Sequence, residues 1–425
     1  MIPTVQLDLR ETDGWTTHAL DRDVADLLAA SNLVEIRPAV TGRRRWEVRA
    51  AGMVGAAVLS GPGVQVDLRV APKVPVARLL FLMSYAANAK GWRDELLDLP
   101  EALALPAAVG EVLARVVAAA LRAGVLQGYR TVDAAEPAVR GRVRFADQQR
   151  RHFGQTLPVE VTYDEFTVDI AENQILRAAL RRMLRVSGLP AATRRRLVVQ
   201  LRRVGEVSDL VAGQLVPPWS PSRLNARYVP ALRLAELVLR GASFDLSRGA
   251  VRTSGFMVNM PTVFEVFVTV ALGEALVGHS GGTAVLQDAG WRLDEAGAVR
   301  LRPDLVWYPG TPGSGFRRGG VKRGGRGGFG APGVVVDAKY KAEKPSSFPN
   351  ADIYQLLGYC TALGLTEGHL VYAKGNEGGC SYRIPAAEVT ITAHTLDLEA
   401  APTELLGQVG VLAERILGQA RSNVS

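Results

Sequence analysis

Residues 334–341 read VVVDAKYK. Three valines in succession suit a strand buried in the middle of a sheet. Yet the run ends in an aspartate, with lysines two and four places later. Side chains two apart on a strand share a face, so Asp337, Lys339 and Lys341 point one way and Val336, Ala338 and Tyr340 the other. Just upstream, AVRLRPDLVWY (298–308) is a second apolar run and carries Asp304. If the two runs pair as a hairpin, two carboxylates and an amine converge at one spot on the sheet.

Around this pair the pattern is that of an α/β domain. A helix is predicted for MPTVFEVFVTVALGEAL (260–276), then a strand for GTAVLQDAG (282–290), the two runs above, a helix for DIYQLLGYCTALG (352–364) and a strand for GHLVYAKG (368–375). A last strand precedes a terminal helix. Helix, three strands, helix, strand alternates as an α/β fold does. Between the paired runs lies PGTPGSGFRRGGVKRGGRGGFGAPG (309–333), glycine-rich, with five basic residues and no acidic one. A mobile hairpin tip is expected over 310–333, bringing Arg317, Arg318, Lys322, Arg323 and Arg326 near any polyanion bound at the sheet.

Further upstream the texture changes twice. LVEIRPAV, RRWEVRA, VGAAVLSG and VQVDLRVAPKV are short, β-branched and punctuated by glycine or proline, so 1–99 reads as a β-rich domain. From 100 to 245 the periodicity is mostly helical, as in EVLARVVAAALRAGVLQGYR and TRRRLVVQLRRV, with a Pro-rich break at VPPWSPSRLN. The fold class expected is therefore a multidomain α+β protein: a β-rich N-terminal domain (1–99), a mostly helical middle (100–245) and a C-terminal α/β domain (246–425).

At 425 residues and 48% hydrophobic, the chain has material for two or three cores. Two cysteines, Cys360 and Cys380, argue against a disulfide framework and for a reducing, cytoplasmic setting. No signal peptide and no membrane span is expected. The formal charge of +8 suits a polyanionic partner. Of 50 basic residues only seven are lysine, and three of those crowd into VVVDAKYKAEK. A compact ammonium has a different use from a guanidinium fork.

Two carboxylates beside a lysine suit a hard divalent cation, which takes oxygen ligands and keeps waters for a phosphate to replace. Mg²⁺, with Mn²⁺ as a substitute, is the expected cofactor, and the reaction metal-assisted hydrolysis of a phosphodiester. Glu265, in TVFEVFV, offers a further carboxylate. Gln355 and Tyr359, four apart, present one helical face to the same site.

This arrangement resembles the PD-(D/E)xK nuclease superfamily, with Pro303-Asp304 as its first half and Asp337-Ala338-Lys339 as its second. Gln355 and Tyr359 look like the QxxxY element of its RecB-like branch. The resemblance implies Asp304, Asp337 and Glu265 as metal-binding carboxylates, Lys339 as the residue serving the nucleophilic water, and Gln355 and Tyr359 as auxiliaries, with Lys341 near the DNA. Upstream, VQVDLRVAPKVPVARLLFLMSYA, RGRVRFADQQRRH, LPVEVTYDEFTVDIAENQILRAAL and RLNARYVPALRLAELVLRG are similar to the McrC family, nuclease subunits of modified-cytosine-dependent restriction complexes. That likeness implies double-stranded DNA as substrate and an McrB-like AAA+ GTPase ring as partner, stimulated by the N-terminal part. The chain has no GxxxxGK[ST] loop, so no nucleotide is expected on it. Two rival readings are an inactive nuclease-like scaffold that activates the motor, and a stand-alone RecB-like repair nuclease.

Other features have plainer alternatives. The five histidines are dispersed with no pair at metal-ligand spacing, against zinc. Asp164 and Glu165 suit a strand-to-helix junction better than a second site. The arginines of LRRMLRVSG and TRRRLVVQLRRV fit DNA phosphates or a solvated helix face alike. Lys73, between two prolines, fits a strand exit or a tip entering a partner.

Overall fold

The computed structural model describes residues 4–40, 42, 44–87, 105–186, 188–210, 216–241, 252–310, 317–318, 330–340, 350–373 and 380–422. The first stretch of chain is built from β1 (Thr4–Arg10), β2 (Thr16–Ala19), α1 (Arg22–Ser31), β3 (Val34–Pro38), β4 (Arg45–Ala50), β5 (Met53–Gly61), β6 (Val64–Ala71) and α2 (Val76–Ala87). Next come α3 (Leu105–Ala120), β7 (Gly128–Glu136), β8 (Arg142–Val143), α4 (Phe145–Arg151), β9 (Val159–Thr167), α5 (Ala171–Leu184), α6 (Ala191–Arg203) and α7 (Val229–Gly241). The last part holds β10 (Arg252–Asn259), α8 (Met260–Ser280), β11 (Thr283–Leu286), β12 (Leu305–Tyr308), β13 (Arg317–Arg318), β14 (Val334–Lys339), α9 (Asn350–Leu363), β15 (Glu367–Ala373), β16 (Ser381–Ile384), β17 (Val389–Leu396) and α10 (Pro402–Ser422). The result is a multidomain α+β protein.

Two compact units account for these elements, and neither is one continuous stretch. The first comprises residues 1–4, 56–67 and 104–256, the second 5–55, 68–103 and 257–425. The chain passes from one unit to the other inside β1, β5, β6 and β10.

In the first unit α3, α5, α6 and α7 pack together. The stretch expected to be mostly helical also contains a three-stranded sheet, β7-β9-β8. Its long pair runs from Gly128↔Thr167 to Glu136↔Val159. The alternation of apolar and polar residues in LPVEVTYDEFT is thus a half-exposed strand, not only a run-in to α5. Asp164 and Glu165 lie on that strand. Asp164 accepts from the Thr131 hydroxyl at 2.7 Å, and Glu165 faces Arg130 at 3.9 Å. Several arginines are bound locally as well: Arg196 pairs with Glu111, Arg181 with Asp209, and Arg203 donates to the Leu121 carbonyl.

The second unit is centred on a seven-stranded sheet, order β13-β11-β12-β14-β15-β17-β16. Strands β11, β12 and β14 are antiparallel neighbours, whereas β14, β15 and β17 run parallel. Parallel neighbours need a crossover, and α9 supplies it between β14 and β15. Leu356, Cys360 and Leu363 of α9 share one buried cluster with Val335, Leu370, Tyr372, Ile391 and Ala393 of the sheet. Gly368 lets the helix come close. A Cβ there would lie 2.6 Å from Cys360 Sγ and 2.9 Å from Leu356 Cγ. On the other side of β14, Phe264 of α8 meets Tyr340, ring centroids 5.8 Å apart.

Helix α8 is capped by Asn259, whose side chain accepts from the Thr262 N–H, with a proline in its first turn. By length and a mean hydropathy of 1.6 it is apolar enough to cross a membrane. Its apolar residues are instead packed against α2, α10 and β14, which makes it a core helix of this unit.

The tract 310–333 contributes β13, which pairs parallel with β11 at Val285↔Arg317 and Leu286↔Arg318. This part of the expected tip is an edge strand. The basic residues Lys322, Arg323 and Arg326, together with Lys341, lie outside the described residues.

Candidate active site

The register of β12 against β14 pairs Leu305 with Val336. Carried one residue further, it sets Asp304 opposite Asp337, on the sheet face that α9 covers. Asp304 sits in the bend that leads into β12. Its Oδ2 accepts from the Ala338 backbone N–H at 2.9 Å, so the carboxylate is anchored to the strand that carries its counterpart. Asp337 is 1% exposed. Its Oδ2 is ion-paired with Lys339 Nζ at 2.5 Å and has no further partner among the described residues.

Lys339 is held from its other side as well. Its ammonium donates to Gln355 Oε1 at 3.0 Å, Gln355 Nε2 donates to the Tyr359 hydroxyl at 2.7 Å, and that hydroxyl donates to the Arg302 carbonyl at 3.2 Å. The one-turn spacing of Gln355 and Tyr359 on α9 makes this chain possible. Burial opposes charge on Lys339, but Asp337, then Asp304 and Asp352, outweigh it and raise the lysine above its ordinary value. Lys339 is therefore an ammonium at neutral pH. Burial likewise raises the Tyr359 hydroxyl, against the opposing hydrogen bond from Gln355.

Asp304 behaves in the opposite way to an ordinary surface carboxylate. Burial first, then the charges of Asp337 and Glu265, push it up to about 8. Two carboxylates face each other with too little positive charge between them. A cation would supply that charge, and the unsatisfied Asp337 Oδ2 is a hard oxygen of the kind Mg²⁺ takes. The donor set of Asp304 and Asp337 therefore fits a hard divalent ion, with remaining positions for water and phosphate. Among the described residues no group of three or more His, Cys, Asp and Glu side chains is arranged to hold a metal. Glu265 is near enough to bear on Asp304, but its Oε1 accepts from Gln287 Nε2 at 2.5 Å.

Asp304, Asp337, Lys339, Gln355 and Tyr359 thus stand together, with Glu265 at their margin. The side chains of Arg317 and Arg318, like Lys322, Arg323, Arg326 and Lys341, lie outside the described residues. Two residues were not singled out by sequence. Asp352, in the first turn of α9, is buried, accepts from the Tyr372 hydroxyl at 3.1 Å and adds negative charge beside Lys339. Its place three residues before Gln355 on the same helix was the available signal. Gln287 follows β11 directly and had none.

Lys73 is not a projecting tip. Its ammonium lies 4.0 Å from the centroid of the Tyr340 ring, on the residue after Lys339, and its backbone N–H donates to Glu11 Oε2 at 3.0 Å. His369 and His394, dispersed in sequence, meet across β15 and β17 with ring nitrogens 3.2 Å apart. Burial drives His369 down to about 3 and His394 to about 4, so both are neutral. No third ligand joins them among the described residues.

The family model described as "McrBC 5-methylcytosine restriction system component" matches residues 34–315 and 326–373. Among solved structures, a refined half-complex from a tetradecameric assembly of Thermococcus gammatolerans McrB AAA+ hexamers with bound McrC is similar, at TM-score 0.53 and 17% identity. That match covers 97% of this chain and 100% of the other. The cryo-EM structure of the Thermococcus gammatolerans McrBC complex matches at TM-score 0.38 and 19% identity, covering 64% and 88%. No curated protein sequence matches the chain.

Proposed function

The chain belongs to the McrBC 5-methylcytosine restriction system component family, and from that membership we propose that it is the nuclease subunit, a metal-dependent endonuclease with a PD-(D/E)xK centre at Asp304, Asp337 and Lys339. One observation carries the reading. Asp304 stands opposite Asp337 across β12 and β14, beside an ammonium fixed from both sides. A purely structural ion pair has no need of the second, uncompensated carboxylate.

Asp304 and Asp337 would hold Mg²⁺, or Mn²⁺ in its place, which when bound supplies charge neutralisation at the scissile phosphate. Lys339, being protonated, acts as a donor and not as a base. It orients the attacking water by a hydrogen bond and offsets the negative charge that grows on the phosphate oxygens. Gln355 and Tyr359 keep the ammonium from swinging away, which preserves the geometry between turnovers. The substrate is double-stranded DNA. The partner is an AAA+ GTPase ring, a reading supported by the fold shared with McrC bound to McrB hexamers.

The test is cleavage of modified and unmodified plasmid by this protein with Mg²⁺ and GTP, with and without an McrB-type GTPase partner. Asp337→Ala and Lys339→Ala variants run in parallel. Cutting by the unaltered pair alone is expected. GTPase stimulation with no cutting under any condition would make the protein a motor activator with a relic of a site.

A further inference from the structure

Gln287 has φ +48°, in the left-handed region. Non-glycine residues found there are mostly Asn and Asp, whose short side chains bond locally, so a glutamine needs another reason. Strained backbone is retained where its surroundings fix it, often at a functional site. Here the conformation sends one residue to two carboxylate-bearing segments. The Gln287 backbone N–H donates to the Asp304 carbonyl at 2.9 Å, and its side-chain N–H₂ donates to Glu265 Oε1 at 2.5 Å. Its Oε1 accepts from the Arg302 guanidinium. A carboxylate only accepts and a guanidinium only donates, so these neighbours dictate which way the amide faces.

Arg302 joins this tie to the rest of the site, since its carbonyl accepts from Tyr359. A belt of hydrogen bonds therefore runs from Lys339 through Gln355, Tyr359, Arg302 and Gln287 to Glu265, around Asp304 and Asp337. Without the tie, Glu265 would swing toward solvent, away from two like charges. We infer that Gln287, itself held by Arg302, is a positioning residue that fixes Glu265 at the margin of the Asp304–Asp337 pair, where its charge adds to the pull on a divalent cation. The inference rests on the metal-dependent reading of the site.

Binding of Mn²⁺ alone to the full chain, read from the free Mn²⁺ signal in electron paramagnetic resonance, tests it. Gln287→Gly removes the amide and relaxes the backbone, so its melting temperature should equal or exceed that of the unaltered protein. Its Mn²⁺ affinity should fall about 10-fold, the low end of what loss of an outer-shell partner costs. Arg302→Ala should move affinity in the same direction. In a Glu265→Gln background, Gln287→Gly should have no further effect. Unchanged affinity in Gln287→Gly, or an equal loss in both backgrounds, would overturn the inference alone. Absence of Mn²⁺ binding by the unaltered protein would overturn it together with the nuclease reading.

Discussion

Asp169, which is buried, and Asp304, which is partly buried, both stand at the start of an element, yet they have opposite characters. Asp169, ahead of α5, accepts from Gln174 at 2.9 Å, from the Ser208 N–H at 2.8 Å and hydroxyl at 2.7 Å, and from Arg130. Burial raises it, but those donors win and leave it below the ordinary carboxylate value. Asp304 has one backbone donor and two facing carboxylates, and is pushed up to about 8. A carboxylate ringed by donors is a knot that holds its unit together. One that faces its own kind is raised instead, and its charge would be offset by a cation.

The sharpest way to break this contrast is substitution. Asp337→Asn is expected to lower Mg²⁺-dependent cleavage at least about 1,000-fold, the scale of losing a group that stabilises transition-state charge. Its melting temperature in EDTA should change little, because relief of the repulsion between Asp337 and Asp304 offsets the lost ion pair with Lys339. A large drop in melting temperature would make Asp337 structural. Asp169→Ala should do the reverse, costing about 3 kcal/mol in urea unfolding, since Arg130 and Ser208 lose their partner.

Acidity separates the two as well. The folded protein retains a proton on Asp304 that the unfolded chain has released, so in EDTA this group lowers stability as pH rises from about 4 to about 8. Saturating Mg²⁺ or Asp304→Asn should flatten the slope in melting temperature against pH. A slope that survives Asp304→Asn would place the titration elsewhere. Asp169 contributes with the other sign: its stabilisation is present above the unfolded value and is lost as pH falls through the folded one. The smallest effect is expected at Lys73→Met, about 1 kcal/mol from the lost contact with the Tyr340 ring. Tyr340→Phe should keep most of that contact in a thermal melt.

What sequence disclosed follows the same division. Strand β14 was legible because three valines and a period of two are local signals, and the faces of Asp337 and Lys339 followed. Gln355 and Tyr359 were legible because four residues make a helical turn. The β7-β9-β8 sheet was obscured because β7 and β9 pair end to end across more than twenty intervening residues, while the helices around them repeat every few. The meeting of His369 and His394 depends on which parallel strands are neighbours, which spacing does not encode. Gln287 was hidden for another reason. A left-handed glutamine has no compositional mark, and its role comes wholly from what lies across the site.

The interleaving of the two units has a consequence for how the protein is born. A chain emerging from the ribosome exposes its N-terminal part first and folds what it can. The first unit has all its residues once position 256 is made, but the second needs 5–55 and also 257–425. The parallel partner of the strand that carries Asp337, β15, and the parallel partner of β15 in turn, β17, are among the last strands to appear. The candidate site is therefore assembled late, so an interrupted chain that stops short of them is left without a completed site.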